Sequence, residues 1–183
     1  MTTVTVMPRA GDWTVDHLDR LPDDGLQYEL IDGILLVSPA PVPGHQSVAV
    51  GLVVLLHRVC PPHLQVFVSP IDFRPDEATS VQPDVAVVRR GEVGEQNLVL
   101  PPLLVVEVLS PSTRRKDLVL KHSLYADAGV ESYWTVDPET PSIICWDLVD
   151  GGYVEVARAV ATERVTVGRP YRVTLCPTEL VRG

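Results

Sequence analysis

The chain has 183 residues, of which 45% are hydrophobic and 21% are charged. This length and composition fit one globular domain and exclude a collagen-like repeat, a coiled coil and a disordered chain. The formal net charge is -9, from 24 acidic and 15 basic residues. Such a protein repels nucleic acid unless a cation or a local basic patch intervenes, and any DNA binding is expected to be weak or salt-sensitive.

The cysteines and the N-terminus indicate the compartment. Cys60, Cys145 and Cys176 are odd in number and widely separated, with no CxxC or zinc-finger spacing, which is typical of a reduced cytosolic protein. Residues 1–13 lack the pattern of a signal peptide, and no apolar run is long enough to cross a membrane. We therefore expect a soluble cytoplasmic protein that has no membrane partner.

The first half of the chain predicts an arm, a hairpin and a helix. Residues 1–25 are polar and broken by Pro and Gly, so we expect an N-terminal arm with a short helix within 13–20, followed by one domain over 26–183. Residues 28–38 predict two strands that meet at Asp32-Gly33, a dipeptide that favours a tight hairpin turn. Residues 45–59 are apolar around almost the whole helical circumference and predict a buried helix.

The second half alternates strands with one more helix. Unbroken apolar runs predict strands covered on both faces, the helix ends at a glycine, and the C-terminal third is rich in strands. The predicted strands are 65–73, 85–88, 103–109, 131–136, 142–148, 153–157 and 171–175, and the helix is 114–127. The fold class is therefore α/β or α+β, a mixed sheet flanked by two main helices, with an N-terminal hairpin and a β-rich C-terminal tail.

Two acidic residues stand in or beside the apolar strands. Glu107 lies within a run of valines and leucines, and an ionised carboxylate there needs a compensating cation, either a buried arginine or a metal ion. Asp84 opens the strand over 85–88 and, taken alone, is as readily explained as a turn cap. If the two strands are neighbours, the two carboxylates form an oxygen site suited to Mg²⁺ or Mn²⁺.

A few other polar residues are candidates with plain structural alternatives. The chain has two lysines, and Lys121 shares a helix face with Asp117 and Tyr125 at spacings of four residues. An exposed ion pair is the simpler reading of that spacing, and an ammonium directed at a phosphate is the functional one. Glu29 flanks the hairpin turn, and His45 opens a helix, where a capping or surface histidine is the favoured reading.

These residues occur in an order that resembles a known family. The chain is similar to the PD-(D/E)XK nuclease superfamily and, more closely, resembles the Uma family of restriction endonucleases over about residues 14–148. The matching segments are Tyr28-Glu-Leu-Ile-Asp-Gly33, Pro43-Gly-His45-Gln, Gln82-Pro-Asp84-Val, Val105-Val-Glu107-Val-Leu-Ser-Pro-Ser-Thr113, Asp117, Lys121, Tyr125-Ala-Asp-Ala-Gly-Val130 and Tyr133-Trp-Thr-Val-Asp-Pro138. Several separate motifs that agree in order and spacing are far more specific than a single short motif.

The resemblance implies a fold and a set of site residues. The implied core is a helix, three strands, a helix and a strand. Asp84 and Glu107 would bind the metal ion, Lys121 would be the lysine, and Glu29 would be an additional acid. The superfamily places its lysine two residues after the second acid, where this chain has Leu109, so the lysine is carried to Lys121. The second lysine, Lys116, is the alternative, and the accessory candidates are His45 and Asp117.

The activity implied by the resemblance is Mg²⁺- or Mn²⁺-dependent hydrolysis of phosphodiester bonds by an endonuclease. DNA is the expected substrate and, by analogy, a homodimer the expected assembly, because two active sites are the usual route to cutting both strands. The basic residues Arg114, Arg115 and Lys116 are candidate phosphate contacts. They and the pair at 89–90 are expected close to the acids, where they would offset the negative net charge.

Two other functions use the same residues. The domain could be a nuclease fold without activity that binds a partner or dimerises through its tail, residues 143–175. It could also be a metal-dependent phosphodiesterase that acts on small substrates. An ionised, partly exposed Glu107 near Asp84, with room for a metal ion, favours an enzyme, whereas an arginine in that space favours the binding module.

Overall fold

The computed structural model describes residues 8–111 and 114–181, and every structural statement refers to these. The helices are α1 (Val15–Leu18), α2 (Pro43–Val59), α3 (His122–Asp127) and α4 (Pro177–Val181). A π-helical segment (Lys116–Lys121) leads directly into α3, and a short 3-10 turn (Arg90–Glu92) follows a strand. The strands are β1 (Leu26–Ile31), β2 (Ile34–Pro39), β3 (Leu64–Val68), β4 (Phe73–Asp76), β5 (Thr79–Val81), β6 (Val85–Arg89), β7 (Leu104–Val108), β8 (Ser132–Asp137), β9 (Ser142–Val149), β10 (Gly152–Val160), β11 (Val165–Val167) and β12 (Val173–Leu175).

A six-stranded mixed sheet forms the centre of the fold. Its order is β10-β9-β8-β7-β6-β3, with β7 and β8 parallel and the other neighbours antiparallel. A parallel pair needs a crossover connection, which the helix over 114–127 provides between β7 and β8. In chain order, the core elements are α2, β3, β6, β7, this helix and β8. The predicted mixed α+β class and its core of helix, three strands, helix and strand are therefore confirmed.

The predicted hairpin forms one side of a second sheet, whose order is β2-β1-β5-β4. β1 and β2 meet at Asp32 and Gly33, which have φ angles of 49° and 73° as a tight hairpin turn requires. The Gly33 carbonyl accepts hydrogen bonds from the backbone N–H groups of Gly11 and Trp13 at 2.9 and 3.2 Å. The turn thus holds part of the N-terminal segment against the sheet.

We expect Gly33→Ala to destabilise the protein by about 1–3 kcal/mol, because the added Cβ combines a positive φ with a collision. The Cβ would meet the carbonyl oxygen of Gly11, a backbone atom that cannot move aside freely. Gly152→Ala is the matched control, since no heavy atom lies within 4 Å of its Cβ position. Thermal unfolding of both variants tests this expectation, and equal melting temperatures would contradict it.

The strands β6 and β7 are the most buried part of the core. Val85, Val87, Leu104 and Val106 are fully buried, as the unbroken apolar runs predict. The helix α2 covers this sheet through a face that includes Leu52 and is packed into the same cluster. β7 pairs in parallel with β8, and all its residues are buried. Because such a strand has little room to move, it can hold a buried carboxylate in one position.

Two predictions about elements are wrong. The run 65–73 is divided between β3 and β4, which belong to different sheets, because Pro70 has no N–H to continue the ladder. The helix over 45–59 is not buried all round, since Val50 and Val54 are 56% and 45% exposed. Only one face of α2 packs against the sheet, so some of the apolar residues around the helix stay exposed.

The two ends of the chain pack onto these sheets. Trp13 and Leu18, from the segment predicted as an arm, are buried in a cluster with Leu30 of β1. At the other end, β12 pairs with β11, and α4 packs against α2. The boundary at residue 25 stays a prediction. Among the described residues, none of the helices is long and apolar enough to cross a membrane.

Candidate active site

The strand register brings the two predicted acids together. In the antiparallel pair β6–β7, Val85 lies opposite Val106. One step along each strand places Asp84 opposite Glu107, with both side chains buried. The neighbouring strands assumed in the sequence analysis are therefore present, and the two carboxylates lie at the same height in the sheet.

Asp84 is held by one donor on each carboxylate oxygen. Its Oδ2 accepts the backbone N–H of Val108 at 2.7 Å, so the strand that carries Glu107 also orients Asp84. Its Oδ1 lies 2.9 Å from Nε2 of His45, whose side chain is 11% exposed. His45 is in the first turn of α2 but does not occupy the surface position that was the favoured interpretation. Instead, the helix start directs it at Asp84.

Glu107 is paired with a lysine and a tyrosine. Its Oε1 accepts Lys121 Nζ at 2.9 Å and the Tyr125 hydroxyl at 2.8 Å. Burial raises the pKa of Glu107 well above its usual value, and Asp84, Asp117 and Glu29 add to this rise, which outweighs the lowering by Lys121. The compensating cation is thus a lysine, not an arginine, and it leaves an excess of negative charge at this carboxylate.

Lys121 lies at the centre of the acidic cluster. Its Nζ is 2.7 Å from Glu29 Oε1, 2.9 Å from Glu107 Oε1 and 3.9 Å from Asp117 Oδ1, and its side chain is 3% exposed. Burial lowers the pKa of Lys121, but the carboxylates outweigh burial and raise it well above its usual value. Lys121 is therefore a fixed positive charge at neutral pH, unable to act as a base.

Glu29 joins the second sheet to this cluster. Its Oε1 also accepts the backbone N–H of Gln82 at 2.9 Å, and its Oε2 lies 2.5 Å from Lys116 Nζ. Burial raises the pKa of Glu29, but Lys121 and Lys116 outweigh it and lower this pKa to about 2. Glu29 is thus ionised across the physiological range and is occupied by lysines on both oxygens.

The two lysines reach the same carboxylate because the helix is not a regular α-helix. The segment Lys116–Lys121 is π-helical, whereas the sequence analysis predicts an ordinary helix over 114–127. In a π-helix the hydrogen bonds run from residue i to residue i+5, and the turn is wider than in an α-helix, so residues five apart lie closer to one face. The wider turn places Lys116 and Lys121 on one side, facing Glu29.

The site can accommodate a divalent cation. A cavity of about 30 Å³ is lined by Asp84, Glu107 and Glu29 together with both lysines, which is room for roughly one or two water-sized groups. Within 8–111 and 114–181, no cluster of three or more His, Cys, Asp or Glu side chains has the geometry of a preformed metal cage. Two carboxylates suit Mg²⁺ or Mn²⁺, which keep several waters. The carboxylates around the cavity outnumber the two ammonium groups, so a divalent cation would add positive charge where burial and neighbouring acids disfavour the ionised form of Glu107.

The arginines predicted to lie close to the acids differ in where they lie. Arg114 donates to Asp137 at 2.8 Å, and Arg115 is exposed one residue before the π-helical segment. Arg89 and Arg90 lie at the opposite end of β6 from Asp84, about 16 Å away at the rise of a strand. They are therefore not close to the acids, contrary to expectation. Ser112 and Thr113 of the matching motif lie outside the described residues.

Sequence reasoning missed three contributors. The spacing of four residues predicts that Tyr125 shares a helix face with Lys121, but it gives Tyr125 no role, and the structure adds its hydrogen bond to Glu107. Gln82 and Val108 contribute backbone N–H groups, which any residue type except proline provides. No pattern of side chains could have identified these two donors.

Comparisons with known proteins give a family and a similar fold. The family model "Uma2: Putative restriction endonuclease" matches residues 15–174. A crystal structure described as "a putative nuclease belonging to DUF820", from Anabaena variabilis, is similar with a TM-score of 0.70 and 18% identity, covering 92% of this chain and 97% of that one. At this identity the likeness is one of fold. A search of curated proteins gave no match.

Proposed function

Because the chain belongs to the Uma2 ("Putative restriction endonuclease") family, we propose that it is a metal-dependent endonuclease that hydrolyses phosphodiester bonds in DNA. Family and fold support a nuclease. The observation that carries the metal-dependent reaction is the position of Asp84 opposite Glu107 beside a small cavity, with Lys121 in contact with Glu107. This arrangement has the components that phosphate chemistry requires, namely oxygen ligands and a fixed cation.

Asp84 and Glu107 are the proposed ligands of the cation. When bound there, Mg²⁺ or Mn²⁺ would polarise the scissile phosphate and lower the pKa of an attacking water. The Val108 N–H and His45 keep the Asp84 carboxylate in one orientation. Lys121 supplies a permanent positive charge where negative charge develops on the phosphate during hydrolysis.

DNA is proposed over small phosphodiesters because a nuclease family and fold support a polymeric substrate. The positive charges closest to the acids are already paired, Lys116 with Glu29 and Arg114 with Asp137. Little uncompensated positive charge is therefore available near the acids for phosphate contacts. We therefore expect DNA binding to be weak, because few phosphates would be neutralised. A homodimer remains part of this proposal, as the assembly that cuts both strands.

The test is a substrate panel. The wild-type protein is incubated with supercoiled plasmid, single-stranded DNA, RNA and a small phosphodiester such as bis-p-nitrophenyl phosphate, each with Mg²⁺, Mn²⁺ or EDTA at low salt. We expect plasmid cleavage that needs a divalent cation and stops with EDTA. Cleavage of the small substrate alone would favour a phosphodiesterase. Absence of any cleavage would favour a binding module built on a nuclease fold.

We expect His45→Asn to weaken Mn²⁺ binding about tenfold or more, because residues that orient a metal ligand contribute about 10–100-fold in affinity. His45 contacts Asp84 Oδ1 directly, so its loss frees the carboxylate to rotate. Isothermal titration of Mn²⁺ into the variant measures this. His57→Asn, an exposed histidine on the same helix, is the matched control. An affinity equal to that of wild type would show that His45 does not orient the ligand.

A further inference from the structure

Glu29 is a carboxylate shared between two lysines of unequal accessibility. Each of its oxygens contacts a different ammonium group, Oε1 that of Lys121 and Oε2 that of Lys116. The Lys121 side chain is 3% exposed, and that of Lys116 is 14% exposed. The Lys116 Nζ also lies 3.5 Å from the Ser38 hydroxyl. The two lysines therefore occupy an inner and an outer position on one acid.

The inner lysine is almost completely covered by its partners. An ammonium group has three N–H donors, and two of those of Lys121 are directed at Glu29 and Glu107. The Lys121 side chain is only 3% exposed. A phosphate oxygen can therefore reach its ammonium group only if one of the two carboxylates moves aside.

Glu29 can release Lys121 and still keep a cation. Without Lys121, it would keep the Gln82 N–H on Oε1 and the ammonium of Lys116 on Oε2. Glu107 would keep the neutral Tyr125 hydroxyl on Oε1 and, under the proposed function, the divalent cation. Because a buried carboxylate that loses its only cation is strongly destabilised, the ammonium of Lys116 is what allows the exchange at Glu29.

We propose that Lys116 is a positioning residue that keeps Glu29 neutralised while Lys121 exchanges its contact with Glu29 for an oxygen of the substrate phosphate. This inference rests on the proposed function. Lys116 acts through Glu29 and does not touch the reacting atoms. The π-helical segment contributes to this arrangement, because its wide turn brings residues 116 and 121 closer to the same side of the helix. Glu29 is then a partner of the two lysines and not a ligand of the metal ion.

The kinetic test compares two substitutions of the outer lysine. Lys116→Gln is expected to lower kcat about 10–100-fold with KM changed less than about threefold, because the exchange precedes the chemical step and substrate still binds. Lys116→Arg keeps the charge on Glu29 and is expected to restore kcat. Arg58→Gln, an exposed residue of α2, is the control. A kcat of Lys116→Gln within twofold of wild type, or Lys116→Arg as slow as Lys116→Gln, would overturn the proposal.

A second measurement needs no turnover. In protein labelled with ¹⁵N-lysine and loaded with Ca²⁺, the Nζ signals of the two lysines are followed while inorganic phosphate is added. The Lys121 signal is expected to shift more than the Lys116 signal. A shift of Lys116 alone would show that the outer lysine contacts phosphate and would overturn the exchange. Plasmid cleavage by wild type separates the two claims, since its absence counts against the proposed function.

Discussion

Glu107→Gln is expected to lower the rate of plasmid cleavage by about 10³-fold or more while leaving the fold intact. The amide keeps an oxygen to accept the hydrogen bonds of Lys121 and Tyr125 but loses the charge that would bind a divalent cation. Removing a single group that stabilises the transition state typically costs about 10²–10³-fold in rate, and here the metal ion would be lost as well. Initial rates at saturating Mn²⁺ measure the effect.

The stability of the same variant separates catalysis from folding. Burial and three neighbouring carboxylates hold the pKa of Glu107 well above its usual value, so removal of its negative charge is not expected to destabilise the protein. We expect a melting temperature within about 3 °C of wild type, or higher. Glu155→Gln, an exposed carboxylate on β10, should retain full activity. A Glu107→Gln variant that cleaves plasmid as fast as Glu155→Gln would contradict the assignment.

Lys121→Gln is expected to be the most destabilising substitution in the site. It removes the cation that lies between Glu29 and Glu107 and leaves buried carboxylates with too little positive charge. Breaking a buried ion pair by removing one partner costs about 3–5 kcal/mol, which lowers the melting temperature of a protein of this size by roughly 10 °C. Differential scanning calorimetry in EDTA gives the value without any bound cation.

The effect of added cation on this variant is a second signature. Mg²⁺ or Mn²⁺ supplies positive charge to the same carboxylates, so we expect it to raise the melting temperature of Lys121→Gln more than that of wild type. Arg58→Gln, which removes an exposed positive charge from α2, should change neither value. A Lys121→Gln protein as stable as Arg58→Gln in EDTA would show that Lys121 is not the central cation of the cluster.

The sequence was informative where a pattern had one physical solution. The Asp32-Gly33 dipeptide requires positive φ angles and forms the predicted hairpin turn. The buried strands follow from unbroken apolar runs, and their pairing places Asp84 beside Glu107. The spacing of four residues between Lys121 and Tyr125 correctly puts both on the helix face that meets Glu107.

Other features depend on tertiary structure and have no local signal. The π-helical turn over residues 116–121 is one of them, since this segment reads equally well as an α-helix. The contact of His45 with Asp84 joins residues 39 positions apart, and a histidine at a helix start is otherwise typical of the surface. The exposure of Val50 shows the converse, an apolar residue that the fold does not cover.

The central claim is that Asp84 and Glu107 bind one divalent cation, and titration of Mn²⁺ into the wild-type protein tests it most directly. We predict binding of one ion per chain, weakened at least about 100-fold in Asp84→Asn and in Glu107→Gln and unchanged in Glu155→Gln. No binding by the wild type, or equal binding by all four proteins, would contradict a metal site at these two carboxylates.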